Sequence, residues 1–121
     1  MHYQIDIREG LLQVSAGGAL DTVLARKVVG EVVAGCRSHG LSRVLVDARG
    51  LDPAVSVAER FEIGRTLAEN LPPGVRVAVL VSPEQMVHKT LEDAATNRGL
   101  AVRTTADPAE AYGFLGLAPA P

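Results

Sequence analysis

Arg43-Val44-Leu45-Val46-Asp47 decides the fold of this chain. A short continuous apolar run bounded by charges reads as a strand covered on both faces. A loop, Ala48 to Val55, follows, and a helix opens at Ser56. A buried strand that delivers its C-terminal end to a helix N-terminus is the repeating unit of open α/β folds. Ligands, phosphates and partners dock at that junction.

Downstream the unit repeats. The helix from Ser56 to Leu71 has an expected inward face of Val57, Phe61, Gly64, Ala68 and Leu71, and Pro72-Pro73-Gly74 ends it. Val75 to Val81 is the most hydrophobic segment and is expected as a central strand. A third helix is expected over Pro83 to Arg98, with Met86, Val87, Leu91, Ala94 and Ala95 inward and Gly99 as its stop. Leu100, Val102 and Thr104 give a last strand, and Pro108 to Leu115 a last short helix.

Upstream, Tyr3, Ile5 and Ile7 alternate with Gln4 and Asp6, and Leu12, Val14 and Ala16 alternate with Gln13 and Ser15. Two such half-exposed strands around the turn Arg8-Glu9-Gly10 read as an antiparallel hairpin, ended by Gly17-Gly18. Asp21 caps the next segment. There Leu24, Val28, Val32 and Cys36 recur every four residues, widened by Ala25, Val29 and Val33, up to a stop at Gly40. Gly30 and Gly35 lie inside this helix, where each costs about 1 kcal/mol relative to Ala. Their presence points to close packing of the helix on a sheet.

The helix starts are explicit. Ser56-Val57-Ala58-Glu59 and Ser82-Pro83-Glu84-Gln85 fit the capping box, and Asp107-Pro108-Ala109-Glu110 is a close cousin. The resulting order is β-β-α-β-α-β-α-β-α, an α/β fold with a mixed, mostly parallel sheet and about four helices. The first strand is the antiparallel edge. Residues 1–117 form one domain and residues 118–121 a frayed tail.

Composition bounds the function. The chain has 121 residues and is 47% apolar, enough for a core without disulfides or metal. Only Tyr3, Tyr112, Phe61 and Phe114 are aromatic, which argues against a stacking platform for single-stranded nucleic acid. A net charge of −2 without a basic stripe argues against nucleic acid in general and anionic membranes. No apolar stretch is long enough to insert into a bilayer, and Met1-His2-Tyr3-Gln4 shows no export signal, so a cytoplasmic location is expected. Cys36 stands alone and falls on the apolar side of its helix, as a small core residue.

No cluster of residues spells out a reaction, and no cofactor is implied. His2, His39 and His88 are scattered. His88 has Glu84 and Glu92 at i−4 and i+4, a spacing that reads as a solvated face before it reads as a metal site. Neither a Ser-His-Asp arrangement nor a glycine-rich phosphate loop is present. Asn97-Arg98-Gly99 reads as a helix C-terminus with a cation on the dipole. Asp47 reads as an acceptor for loop N–H groups, with a role at the crevice as the alternative.

These elements carry a family resemblance over roughly Tyr3 to Leu115. The runs Arg43-Val44-Leu45-Val46-Asp47 with Gly50-Leu51, Arg76-Val77-Ala78-Val79-Leu80, and Ala94-x-x-Asn97-Arg98-Gly99-Leu100-x-Val102, then Asp107, Glu110-Ala111 and Phe114-Leu115, resemble the STAS-domain superfamily. Within it, the chain is similar to the small SpoIIAA-like proteins. The resemblance implies a four- or five-stranded mixed sheet and a non-enzymatic module. In the antagonist branch it also implies a serine at the start of the second helix that a partner kinase phosphorylates. That motif is Asp-Ser-Ser-Gly or similar. This chain has Ala54-Val55-Ser56-Val57, which supplies the serine at or within one residue of the switch position but not its Asp, second Ser or Gly. Ser56 also has a complete account as an N-cap, worth about 1 kcal/mol.

The resulting expectation is a regulatory or protein-interaction module. Its partner, a regulatory kinase or similar, would bind in the crevice above Asp47 and around Ser56 and Val57. The alternative is a carrier or sensor holding a small apolar, lipid-like ligand between helix and sheet, since the layout also resembles Sec14-type domains. Homodimerisation, through the edge strand Tyr3 to Ile7 or through an apolar helix face, is compatible with either, although the Val-rich helix faces also read as core.

Overall fold

In the computed structural model, which describes residues 1–52, 57–87, 96 and 98–118, strand β1 (His2–Arg8) turns back into β2 (Leu11–Gly18). Glu9 and Gly10 both have positive φ, 52° and 79°, so the two-residue turn is of type I′, whose twist matches the strands it joins. Helix α1 (Thr22–His39), β3 (Arg43–Leu51), α2 (Val57–Asn70), β4 (Arg76–Leu80), a 3-10 segment (Pro83–Val87), β5 (Ala101–Thr105) and α3 (Pro108–Phe114) follow. The strands lie side by side in the order β1-β2-β3-β4-β5. Only β1 runs antiparallel to its neighbour.

The sheet separates two apolar layers. Leu12, Val14, Val44, Val77, Val79 and Val102 face α1 and α2 and form the main core with Val29, Val32, Cys36 and Leu67. Leu45 and Ala78 face the other way and pack against Ala111 and Leu115 of the α3 region. Consecutive residues of β3 and β4 are therefore buried on opposite faces, which is why their sequences run apolar without alternation.

Two strand boundaries differ from the sequence expectation. The hairpin does not end before Gly17-Gly18: both belong to β2, and β3 runs on to Leu51 instead of giving way to a loop at Ala48. Gly17 pairs with Gly50 and Gly18 with Leu51, across a register shift in which Ser15 to Gly17 faces Asp47 to Gly50. The extra residue on β3 is a bulge. Glycines permit the close approach, since a Cβ on Gly50 would lie 3.2 Å from the Ala16 carbonyl oxygen.

The inward stripe of α2 is also rotated. Arg60, Gly64, Leu67 and Leu71 are buried, whereas Phe61 is 40% exposed. The Arg98 guanidinium lies over the Phe61 ring, 5.2 Å from its centroid, and shields it from the outside. Where the third helix was expected to start, the described residues Pro83–Val87 form a 3-10 segment, with Met86 against the main core. A tight first turn is common at helix starts. Leu91, Ala94, Ala95 and Asn97 lie outside the described residues. Gly99, with φ 89°, bonds back to the Thr96 carbonyl and closes the segment as expected. Three α-helices are seen among the described residues, against the four anticipated.

Gly30 and Gly35 separate as well. A Cβ on Gly35 would press on the sheet, as expected, but one on Gly30 would meet nothing.

Candidate functional site

Helices α1 and α2 both start at the C-terminal end of the parallel strands. Asp21 caps α1: its Oδ1 accepts from the backbone N–H of Val23 at 2.9 Å and of Leu24 at 3.1 Å. Such a cap satisfies donors that the first turn cannot pair internally. Between the two helix starts lies a cleft of about 250 Å³, with Thr22 and Arg26 on one wall and Ala58, Glu59 and Glu62 on the other. The Thr22 hydroxyl donates to Glu59 Oε1 across it at 3.3 Å. Arg65 draws Glu62 along α2 at 2.6 Å and Glu69 at 3.1 Å. The hydrogen bonds from Arg65 hold the Glu62 carboxyl below its usual range.

Beneath the cleft, between α1, α2 and the sheet, is a second space of about 120 Å³. Its walls are wholly apolar and include Val14, Val29, Ala48, Ile63, Leu67 and Val79. Leu20, Ala25, Val29 and Ile63 line both spaces, so the cleft and the apolar chamber adjoin. The combination of a polar mouth and an apolar floor suits an amphipathic guest.

Of the three candidate residues, Ser56 lies outside the described residues. Val57 is the first residue of α2, next in sequence to Ala58 of the cleft wall. Asp47 is on the other side of the sheet, two residues along β3 from Leu45 and on the α3 face. It accepts from the Arg49 backbone N–H at 3.2 Å, as a turn-capping Asp would, and its carboxylate also takes Arg49 Nε at 3.0 Å and Nη2 at 2.8 Å. The hydrogen bond from the Arg49 guanidinium holds the Asp47 carboxyl below its ordinary range, against partial burial. Asp47 and the start of α2 therefore do not share one crevice.

Burial pushes the Cys36 thiol up, which suits the core role its position suggested. His88 lies outside the described residues. Among the described residues no group of three His, Cys, Asp or Glu side chains could hold a metal ion, and no helix is long and apolar enough to cross a membrane.

Sequence reasoning missed a cationic clasp at the far end of the sheet. Arg76 and Arg103 lie over the Phe114 ring, 5.8 and 5.4 Å from its centroid. Arg76 Nη1 also donates to the Phe114 carbonyl at 3.0 Å, where the carbonyls at the end of α3 need donors. The signal was present: Arg76 and Arg103 sit on neighbouring strands with side chains on one face, towards the aromatic end of α3.

No family model matches the chain, and no curated protein matches it. Solved structures do. An anti-sigma factor antagonist from Mycobacterium paratuberculosis superposes with a TM-score of 0.64 at 15% identity, over 95% of this chain and 93% of that one. A protein of the DUF3478 family from Shewanella loihica PV-4, described as having a SpoIIAA-like fold, superposes with a TM-score of 0.56 at 16% identity, over 94% and 92%. At these identities the likeness concerns the fold. The chain has the SpoIIAA-like fold, as the sequence resemblance implied.

Proposed function

We propose that this chain is a regulatory protein-interaction module that binds a protein partner, of the regulatory-kinase kind, at the end of the sheet where α1 and α2 begin. The observation that carries the reading is the fold likeness to an anti-sigma factor antagonist over almost the whole of both chains. The cleft between the helix starts supports the location, since open α/β sheets present their binding sites there. In this reading the chain binds and does not catalyse. Ser56 and Val57 form the rim of the docking surface, and Ser56 is its phosphorylation site. Asp47, on the other face, is a second and separate contact. Phosphate at Ser56 would meet the positive end of α2 and also the Glu59 carboxylate, so it would alter the charge a partner sees.

The test is capture of a stoichiometric partner from the cells of origin by the wild type and by Ala58→Arg, which puts a bulky cation on an exposed wall of the cleft. Loss of that partner in the variant, at an unchanged thermal midpoint, is expected. Equal capture by both would overturn the location. Phosphopeptide mapping of the same preparations reads Ser56 directly.

The apolar chamber favours a second reading, a carrier or sensor for a small apolar ligand. A bound aliphatic adduct in the native mass spectrum would support it.

A further inference from the structure

Strand β1 is bonded on one side only among the described residues, because it stands at the end of the sheet. The hairpin geometry determines which of its backbone groups are left. In a two-residue type I′ hairpin the closing residues form a hydrogen-bonded pair, here Arg8 and Leu11. Bonded and non-bonded pairs alternate along an antiparallel ladder. Asp6, Gln4 and His2 therefore spend their N–H and C=O groups on Gln13, Ser15 and Gly17. The N–H and C=O groups of Tyr3, Ile5 and Ile7 point away from β2. The far side of β2 agrees with this assignment: the Gly18 carbonyl accepts from Asp52, beyond the end of β3, so even-numbered residues of β2 serve β3 and odd-numbered ones serve β1.

Edge strands are ordinarily defended against pairing by lysine, proline, a bulge or an inward charge. β1 reads His-Tyr-Gln-Ile-Asp-Ile-Arg over seven residues, with neither lysine nor proline, and its register with β2 is unbroken. The residues with outward backbone groups are also its apolar ones. Tyr3 leans on α1, its hydroxyl donating to Glu31 at 3.2 Å; Ile5 packs against the main core; Ile7 is 40% exposed.

We propose that two copies of this chain associate through β1, antiparallel, about a two-fold axis at Ile5. That register sets Ile5 opposite the partner's Ile5 and Tyr3 opposite the partner's Ile7, so every outward N–H and C=O meets an outward group. The phenol ring of each chain covers the half-exposed isoleucine of the other. Gln4 falls opposite the partner's Asp6 as donor to acceptor. Moving the axis to residue 6 would set Asp6 against the partner's Asp6, a like-charge pair that destabilises a ladder. Moving it to residue 4 would leave Arg8 outside the pairing. The Ile5 register alone pairs all seven residues. This surface lies on the strand edge, apart from the cleft, and does not depend on the regulatory reading.

Sedimentation equilibrium of the intact protein should show a species of twice the 12.7 kDa chain mass, growing with concentration. Amide exchange reads the surface itself. Protection of Tyr3, Ile5 and Ile7 should rise with concentration, while Gln4 and Asp6 are protected throughout. Ile5→Pro removes an outward N–H and no bond to β2, a position at which an edge strand accepts proline. It should be monomeric where the wild type is dimeric, with a thermal midpoint lowered by the core contact that Ile5 gives up. A wild type that stays monomeric at millimolar concentration overturns the proposal. So does a dimer in which Tyr3, Ile5 and Ile7 exchange freely, or one that persists in a folded Ile5→Pro. Should that variant fail to fold, the exchange pattern of the wild type decides.

Discussion

Gly35 of α1 approaches Leu12 of β2 so closely that a Cβ on the glycine would lie 2.7 Å from Leu12 Cδ1. Leu12 is fully buried, so its methyl group has little room to retreat. Gly30, five residues earlier in the same helix, faces open space. The same substitution should therefore have opposite signs at the two sites. Gly30→Ala gains helix propensity and should stabilise by about 0.5–1 kcal/mol. Gly35→Ala gains the same propensity but overpacks the helix–sheet seam, a penalty of about 1–3 kcal/mol, and should come out destabilised. Urea denaturation of both variants at constant m-value measures the contrast. Equal shifts would mean that α1 does not sit on β2 as closely as described.

The Asp47–Arg49 pair should appear in the pH dependence of stability. A carboxyl held below its ordinary range prefers the charged form in the folded state. Its contribution is complete above the unfolded value of about 3.9 and is lost as pH falls through the lower, folded value. Arg49 is half exposed, so the contribution belongs in the range of surface pairs, about 0.2–1 kcal/mol. Asp47→Asn should thus be less stable than the wild type at pH 7, with the gap closing as the pH is taken below about 4. A gap that does not change with pH would show that the charge pair contributes nothing and that only the turn cap matters.

Arg76 joins α3 to the sheet by two interactions, the hydrogen bond to the Phe114 carbonyl and the contact with the Phe114 ring. Arg76→Met keeps the apolar stem and removes both. A cation–π contact at an exposed site and an exposed hydrogen bond together should be worth about 1–2 kcal/mol. Thermal unfolding of Arg76→Met against Arg103→Met tests the assignment. Arg103 makes the ring contact and a surface pair with Glu110, without the carbonyl bond, and its loss should matter less.

What was legible in the sequence follows from what is local. Strand identities came from short periodicities and runs, and Asp21, Gly40, Asp107 and Gly99 are the caps and stops that the pattern marked. The bulge in β3 was not legible, because Gly17 and Gly50 act together only once β2 and β3 are paired. Phe61 was misassigned because hydrophobicity says inward, while the partner that permits its exposure, Arg98, is distant in sequence. The candidate site was legible only as a place, the C-terminal end of the sheet. Asp47 was grouped with Ser56 by proximity in sequence, but strand alternation turned Asp47 to the opposite face from α2. The chamber under the cleft was anticipated only as a space between helix and sheet, through the likeness to Sec14-type layouts; its walls and size were not legible, since they depend on how far α1 and α2 stand apart.

That chamber separates the two readings of function. Ala48 lines it from β3, where a β-branched residue suits the strand, and the residue is buried. Ala48→Val adds two methyl groups to a space of about 120 Å³, somewhat smaller than an engineered cavity of about 150 Å³ that admits benzene. If the chamber stands vacant in the working protein, filling it should stabilise the fold by about 0.5–1.5 kcal/mol through new apolar contact. It should also abolish any thermal stabilisation that hexanol or benzene confers on the wild type, while leaving capture of a protein partner intact. If the chamber serves a bound aliphatic molecule, protein purified from its own cells should carry that adduct, and Ala48→Val should lose both the adduct and the stability it supplies. Binding of hexanol equal in wild type and variant would place the probe elsewhere and leave the interaction surface at the helix starts as the working site.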